Sequence, residues 1–194
     1  MVRTFVAIEV SEAVKELALG TIRELTPMAG DYRWAEPKNL HVTTNFLGEI
    51  PDQGLSGVTR CLVEALADID RFVMEIGGIG AFPDLNHPSV LWAGIAQGRE
   101  DLMALQSELQ AALSARLSDD LGLPDDRYEY NPHLTLGRAN GESAWTKELL
   151  DRLSVRESES NERAMMEVDR VTLYTSRLEP TGPIYTPVES LSLC

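Results

Sequence analysis

The sequence predicts an α+β fold with mainly antiparallel sheets, built as one two-lobed domain over residues 1–194. One observation is the order of candidate elements, in which strand–helix pairs alternate with pairs of consecutive strands. Another is that a His-x-Thr triplet occurs in each half of the chain, each time on a candidate strand that a helix follows. A length of 194 residues suits one domain, and the two triplets indicate two similar lobes within it.

The elements of the first half follow from apolar periodicity and from turn residues. Residues 12–25 carry apolar side chains at close to helical spacing, and Ser11 is the expected N-cap of this helix. Gly48 is expected to end the strand with the first triplet, and the glycine-rich stretch 77–80 is expected to be a flexible break. The predicted strands are 4–8, 32–34, 40–47 and 72–76, and the predicted helices are 12–25 and 53–67.

The second half contains the longest predicted helix, because leucines recur on one face of residues 99–117. These leucines are Leu102, Leu105, Leu109 and Leu113. Residues 121–126 are expected to form a loop, and the charged, serine-rich stretch 154–163 is expected to be a helix end or a loop. The other predicted elements are a helix at 142–153 and strands at 89–95, 133–138, 165–178 and 185–193, the last two around a turn at 179–183.

The composition excludes several classes of protein. Hydrophobic residues make up 43% of the chain and charged residues 25%, and no apolar run is long enough to span a bilayer. Cys61 and Cys194 are the only cysteines and no Cys/His metal spacing exists, so we expect a reduced, cytoplasmic protein without structural zinc or a cofactor. The formal net charge of −14 argues against a broad grip on nucleic acid, which needs many Lys and Arg contacts.

The two triplets, His41-Val42-Thr43 and His133-Leu134-Thr135, contain two of the three histidines. On a strand, residues two apart point to the same face, so each histidine shares a face with its threonine. If the two strands face each other across a groove, four side chains converge there. A neutral imidazole can accept a proton from water while a charged one protonates a leaving oxygen, and threonine hydroxyls can donate to phosphoryl oxygens. The pattern therefore predicts metal-independent phosphate chemistry.

Arg138 is a candidate phosphate clamp, with pairing to a carboxylate as the alternative role. Ideal alternation puts it on the opposite face from His133 and Thr135, so the clamp requires a bulge at Gly137 or the end of the strand there.

Phe46 and Leu47 are expected to fill the core. The aromatic residues that could stack on a base, or simply pack, are Trp34, Phe82, Trp92, Tyr128 and Tyr130, and His87 is expected in an exposed loop.

The chain resembles the 2H phosphoesterases, and within them the bacterial and archaeal RNA 2′,3′-cyclic phosphodiesterases, also described as 2′-5′ RNA ligases. The resemblance runs nearly end to end and rests on an ordered set of short motifs. They are Arg3 to Ile8, Trp34 to Gly48, Gly80-Ala81-Phe82-Pro83, Val90 to Gly94, Pro132 to Arg138, Val171 to Ser176 and Gly182-Pro183-Ile184-Tyr185. One departure is Ser89, which stands where family members often carry a basic residue.

The resemblance implies a two-lobed fold with pseudo-twofold symmetry, the two motifs in a central cleft and the helices outside. It implies hydrolysis of a terminal 2′,3′-cyclic phosphate to a 2′-phosphomonoester, with His41 and His133 catalytic and Thr43, Thr135 and Arg138 binding substrate. As a hypothesis, His41 protonates the 3′-oxygen and His133 activates water, although the sequence does not fix which does which. The expected partners are RNA ends or short oligonucleotides with a cyclic phosphate, or small cyclic nucleotides, bound by a monomer away from membranes.

Three other activities remain open at this point. A 2′-5′ RNA ligase would run the same chemistry in reverse, but joining requires two RNA ends to be held against an acidic protein. A module that binds RNA ends or nucleotides without turnover has little need for two titrating groups. Another cyclic phosphate, such as a cyclic ADP-ribose phosphate, is the third alternative.

Overall fold

The computed structural model describes residues 1–121, 130–141, 144–159, 162–179 and 182–194. Nine strands and four α-helices are found in these ranges. In chain order they are β1 (Val2–Glu9), α1 (Glu12–Leu25), β2 (Tyr32–Trp34), β3 (His41–Ile50), α2 (Leu55–Leu66), β4 (Phe72–Phe82), β5 (Val90–Gln97), α3 (Arg99–Leu121), β6 (His133–Ala139), α4 (Lys147–Glu159), β7 (Arg163–Val168), β8 (Arg170–Glu179) and β9 (Gly182–Ser192). Short 3-10 turns at Pro37–Asn39 and Asp52–Gly54 precede β3 and α2.

The strands form an antiparallel array in the order β7-β4-β5-β6-β3-β1-β8-β9, with β2 also paired to β6. The half from β7 to β6 and the half from β3 to β9 are the two lobes. They meet where β3 pairs with β6, in register at Val42 and Leu134. The predicted α+β class with antiparallel strands is confirmed, and the two predicted sheets are the two halves of this continuous array.

The helices cover one face of the array and bury the main core there. The four leucines predicted on one face of α3 are all buried, as are Val42 and Leu134 on the strands beneath. Burial of each such side chain stabilises the fold by about 1.5–3 kcal/mol. The opposite face of β3 and β6 is consequently left for polar side chains. Within the described ranges, no helix combines the length and apolarity needed to cross a membrane.

Several elements match their sequence-based bounds. Helix α1 covers Glu12–Leu25 as predicted, and the Ser11 hydroxyl accepts a hydrogen bond from the backbone N–H of Val14 (3.4 Å). The expectation that Gly48 ends the first motif strand is wrong, because Gly48 adopts a positive φ of 72° within β3 and the strand continues to Ile50. Helix α4 begins at Lys147 rather than 142 and continues to Glu159, while residues 122–126 of the predicted loop lie outside the described ranges.

Two further expectations about the strands are wrong. The stretch 77–80 does not end a strand, because β4 runs through it with a register shift where Gly78 adopts a φ of 70°. Gly80 leaves the space that the Trp92 indole fills on the next strand. The predicted strand 165–178 is two strands separated at Asp169, and these lie in opposite lobes, β7 at one edge of the array and β8 between β1 and β9. A continuous apolar run does not reveal that the chain crosses from one lobe to the other within it.

Candidate functional site

The two His-x-Thr triplets lie side by side on the neighbouring strands β3 and β6. The middle residues Val42 and Leu134 are paired and fully buried on the helix-covered face. In this antiparallel register His41 neighbours Thr135, and Thr43 neighbours His133. The four side chains are half-buried on the open face. The structure therefore brings the four together at the junction of the lobes, along one strand pair rather than on two strands facing across a groove.

Both imidazoles are held in the same way by the segment before their strand. Nδ1 of His41 lies 2.7 Å from the carbonyl oxygen of Asn39, and Nδ1 of His133 lies 2.7 Å from that of Asn131. Because a carbonyl oxygen can only accept, Nδ1 carries a hydrogen in either charge state and Nε2 is the nitrogen that gains or loses a proton. Each histidine therefore presents Nε2 as its working atom.

Asn39 and Asn131 were not singled out from the sequence, although the signal was present: both motifs are Asn-x-His-x-Thr. Their side chains anchor the two segments. The Asn39 amide donates to the carbonyl oxygen of Pro183 (3.2 Å), and the Asn131 side-chain oxygen accepts from Arg99 (3.1 Å). The two asparagines thus connect each imidazole to the surrounding fold.

Burial lowers the pKa of both histidines below the ordinary value of 6.5. The carbonyl that accepts from each Nδ1 offsets part of this effect, since it favours the charged ring. The positive charge of Arg138 lowers both pKa values further, and the charge of a protonated His133 also lowers the pKa of His41. Both imidazoles therefore lose their protons more readily than free histidine does.

Aromatic rings surround both imidazoles. The rings next to His41 are Phe5, Tyr185 and Tyr174, at centroid distances of 5.1, 5.2 and 6.4 Å. Those next to His133 are Phe82 and Trp92, at 5.0 and 6.1 Å. These contacts restrict ring rotation and account for the burial that lowers the pKa values.

The aromatic residues singled out from the sequence have different positions. Phe82 and Trp92 lie at the site, whereas Trp34 stacks on Tyr32 and packs against the core. The Tyr130 hydroxyl donates to the carbonyl oxygen of Thr43 (2.9 Å), so the segment before β6 is connected to β3. Tyr128 lies outside the described residues.

Arg138 reaches the site because β6 contains the bulge that strand alternation requires. Leu136 and Gly137 are both buried, and the pairing with β5 shifts between Leu91 and Trp92. The extra residue returns Arg138 to the face of His133 and Thr135, where its charge acts on both imidazoles. Gly137 is required there, because a Cβ atom would lie only 2.6 Å from Cε3 of Trp34.

A matching bulge in β3 exposes Phe46. Thr44 and Asn45 are both buried, and the pairing with β1 shifts between Val6 and Ala7. Phe46 therefore returns to the face of His41 and is 62% exposed, so the expectation that it fills the core is wrong. Leu47, the next residue, is buried as expected. Strand alternation places these side chains correctly only when the bulge is known.

The remaining candidates lie away from the junction. His87 is an exposed loop residue as expected, with Nδ1 3.3 Å from a carboxylate oxygen of Asp84 and its ring against Trp145. In the part of the chain that the structure describes, no three His, Cys, Asp or Glu side chains are grouped as metal ligands.

Comparison with known proteins adds family information to this geometry. The sequence model of the 2′-5′ RNA ligase superfamily matches residues 6–179. The RNA 2′,3′-cyclic phosphodiesterase of Aquifex aeolicus is 32% identical over 194 residues, covering 100% of this chain and 98% of the relative. The enzyme of the same name from Thermotoga maritima is 32% identical over 183 residues, covering 94% and 91%.

Solved structures share the fold. A crystal structure of a Thermus thermophilus protein superposes with a TM-score of 0.78 at 25% identity and covers 98% of this chain and 97% of its own. E. coli LigT complexed with 3′-AMP superposes with a TM-score of 0.73 at 22% identity, covering 99% and 98%. The two-lobed α+β architecture expected from the sequence is thus that of known structures over nearly the whole chain.

Proposed function

The chain belongs to the 2′-5′ RNA ligase superfamily, and from this premise we propose that it is an RNA 2′,3′-cyclic phosphodiesterase whose residues 1–194 act as one two-lobed domain. The observation that carries the proposal is the pairing of the two His-x-Thr motifs at Val42 and Leu134. It places two titratable Nε2 atoms and two hydroxyls on one open face beside Arg138. Relatives of that name align over nearly the full length of the chain.

The proposed reaction is a metal-independent in-line displacement at phosphorus. One imidazole accepts a proton from water as the water oxygen bonds to phosphorus, and the other donates a proton to the 3′-oxygen as its bond to phosphorus breaks. The product is a 2′-phosphomonoester with a free 3′-hydroxyl. Thr43 and Thr135 donate hydrogen bonds to the phosphoryl oxygens, and Arg138 balances the charge that develops there. Each of the two paired strands supplies one histidine and one threonine, so the two imidazoles act on opposite sides of the phosphate.

The working assignment is that His41 protonates the 3′-oxygen and His133 activates the water. Burial and the charge of Arg138 lower the pKa of both histidines, so these shifts do not distinguish the acid from the base. A substrate with sulfur in place of the 3′-oxygen tests it, because a thiolate leaves without protonation. His41→Ala should recover activity on the 3′-thio substrate and His133→Ala should not. The opposite pattern would reverse the two roles.

The experiment that tests the function is turnover of 2′,3′-cyclic nucleotides and of a short RNA with a cyclic phosphate end, in the presence of EDTA. The parent protein should give a 2′-phosphate product, and His41→Ala and His133→Ala should each abolish it. His87→Ala is the matched control, because this histidine lies on an exposed loop. Binding without turnover in the parent would indicate a binding module instead.

The ligase activity is tested in the same preparation by adding RNA with a 5′-hydroxyl. A net charge of −14 disfavours holding two RNA ends, so we expect hydrolysis to exceed joining.

We further propose that the protein acts as a monomer in the cytoplasm, on RNA ends or small cyclic nucleotides. Unpaired Cys61 and Cys194 are consistent with a reducing compartment, and cell fractionation together with light scattering would test both statements.

A further inference from the structure

Arg33 and Arg138 lie directly opposite each other on the neighbouring strands β2 and β6. Directly opposed residues of an antiparallel pair point to the same face, with Cα atoms about 5 Å apart. Tyr32 and Trp34, on either side of Arg33, pack their rings against the core, so Arg33 is exposed on the open face together with Arg138. Two guanidinium groups therefore share one part of that face.

The positive charges of this arginine pair are not balanced by a carboxylate in the described ranges. Neither guanidinium forms an ion pair or a hydrogen bond with another described residue. The acidic residues that flank β2 are engaged elsewhere, because Asp31 accepts from the Asn140 amide (3.0 Å) and Glu36 pairs with Lys38 (2.8 Å). Like charges at opposed positions destabilise a strand pair, so a bound anion is favoured here.

The two arginines differ in their effect on the imidazoles. The charge of Arg138 lowers the pKa of both His41 and His133, whereas Arg33 contributes to neither shift. In the proposed function Arg138 faces the cyclic phosphate, so Arg33 is left for a second anionic group of the substrate. Because β5 occupies one edge of β6, both β2 and β3 lie along the other edge, and Arg33 lies at the end of the site where His41 is found.

The chemistry of a ribose 2′,3′-cyclic phosphate indicates which group extends to that end. The 3′-oxygen is bonded to C3′, and the adjacent C4′ carries the 5′-carbon and its oxygen. In the working assignment His41 protonates the 3′-oxygen, so C4′ and the 5′-oxygen lie on the side of the site that carries Arg33. An RNA end has a phosphodiester on that 5′-oxygen, whereas a cyclic mononucleoside phosphate has a hydroxyl group.

We propose that Arg33 binds the phosphate on the 5′-oxygen of the terminal nucleoside, so that the site prefers RNA ends to cyclic mononucleotides. The inference rests on the proposed function and on its assignment of His41 to the 3′-oxygen. A guanidinium donates charge-assisted, bidentate hydrogen bonds to phosphate oxygens. One fixed contact of this kind suits a chain whose net charge of −14 disfavours a broad grip on an RNA backbone.

The test compares substrates with and without that phosphate. Adenosine 2′,3′-cyclic phosphate has a 5′-hydroxyl, and its 5′-phosphorylated form adds a phosphate at the position assigned to Arg33. In the parent protein the added phosphate should raise kcat/KM by about tenfold, mainly through KM. Arg33→Gln should reduce this preference to within about twofold. Arg33→Lys should keep part of it, because the charge remains.

A diadenosine dinucleotide with a cyclic phosphate end separates the two sources of such a phosphate. It carries the phosphate as a diester within an RNA chain, whereas the 5′-phosphorylated nucleotide carries a monoester. The parent should prefer the dinucleotide to adenosine 2′,3′-cyclic phosphate, and Arg33→Gln should remove that preference too. A loss confined to the monoester would overturn the assignment to RNA ends.

Arg23→Gln is the matched control, because Arg23 is exposed in the last turn of α1 and its replacement changes the net charge by the same amount. It should leave the preference unchanged. An equal loss of preference in Arg23→Gln would assign the effect to overall charge and overturn the inference. An equal loss on both substrates in Arg33→Gln, no loss on either, or a parent without the preference would also overturn it.

If the parent protein turns over none of these substrates, the proposed function fails instead. Titration with adenosine 2′-phosphate and adenosine 2′,5′-bisphosphate then tests the contact by binding alone. The bisphosphate should bind the parent about tenfold more tightly, and Arg33→Gln should remove the difference. Equal affinities of the parent for the two ligands would overturn the inference.

Discussion

Val42 and Leu134 face each other across the strand pair that joins the two lobes, and each is the middle residue of a His-x-Thr triplet. Both side chains are fully buried on the helix-covered face. Because neighbouring strand residues point to opposite faces, burial of these two apolar side chains holds the flanking polar residues on the open face. The register of the Val42–Leu134 pair therefore determines how far apart the two imidazoles lie.

The pH dependence of the free protein follows from the lowered pKa values of the two histidines. The reactive form carries one proton on the pair, so it is most abundant between the two values, both of which lie below 6.5. We expect kcat/KM for a cyclic nucleotide to be greatest below pH 6.5 and to fall as the pH rises. Bound phosphate raises both pKa values, so the kcat optimum should lie at higher pH. A kcat/KM optimum above about pH 7 would contradict this account.

Removal of the charge on Arg138 should change both the rate and the pH profile. Arg138→Gln is expected to lower kcat/KM by about 10- to 100-fold, because a charged partner of the phosphate is lost. It should also move the kcat/KM optimum to higher pH, since the Arg138 charge lowers the pKa of His41 and of His133. Arg60→Gln on the exposed surface of α2 is the control and should change neither quantity. A lower rate with an unchanged pH profile would show that the charge of Arg138 does not act on the imidazoles.

The hydrogen bond from Tyr130 to the Thr43 carbonyl should contribute to stability. Tyr130→Phe keeps the ring but leaves a part-buried carbonyl without this donor, and we expect the free energy of unfolding to fall by about 1 kcal/mol. Urea unfolding measures this loss. Because Thr43 precedes the bulge in β3, kcat should fall as well while KM changes less. Unchanged stability and kcat would show that the connection between the two segments is dispensable.

Two glycine substitutions should have opposite effects on stability. Gly137→Ala places a Cβ atom 2.6 Å from the Trp34 ring, so we expect the free energy of unfolding to fall by about 1–3 kcal/mol. Gly20→Ala lies within α1, where the nearest atom would be 3.9 Å away, and should stabilise the protein by about 0.5–1 kcal/mol. Thermal unfolding of both variants checks the signs. Only Gly137→Ala should also impair turnover, because it disturbs the bulge before Arg138.

Local patterns were sufficient to predict the elements with strong periodicity and clear caps. Helix α1 with Ser11 and the buried leucine face of α3 are examples. The bulge before Arg138 follows from the sequence only as a condition. Ideal alternation puts Arg138 on the face opposite His133 and Thr135, so a role at the site requires a bulge or a strand end. Whether the bulge forms depends on the register of the neighbouring strand, which local patterns do not show.

The features that were missed are those set by contacts between distant parts of the chain. Phe46 looks like a core residue until the bulge in β3 is known, and Gly80 looks like a break until the Trp92 ring is placed over it. Asn39 and Asn131 are different, because each contacts a histidine only two residues away through its backbone carbonyl, and the repeated Asn-x-His-x-Thr pattern is visible in the sequence. Strand pairing, rather than local propensity, determined the surroundings of Phe46 and Gly80.

The unlike residues at positions 46 and 138 also bear on how such a protein could arise. A site assembled from two identical halves would accept a phosphodiester equally well in two directions, and half of the encounters would present the wrong ester oxygen to the acid. Phenylalanine in one copy and arginine in the other break the equivalence of the two halves, while the two histidines and two threonines stay matched.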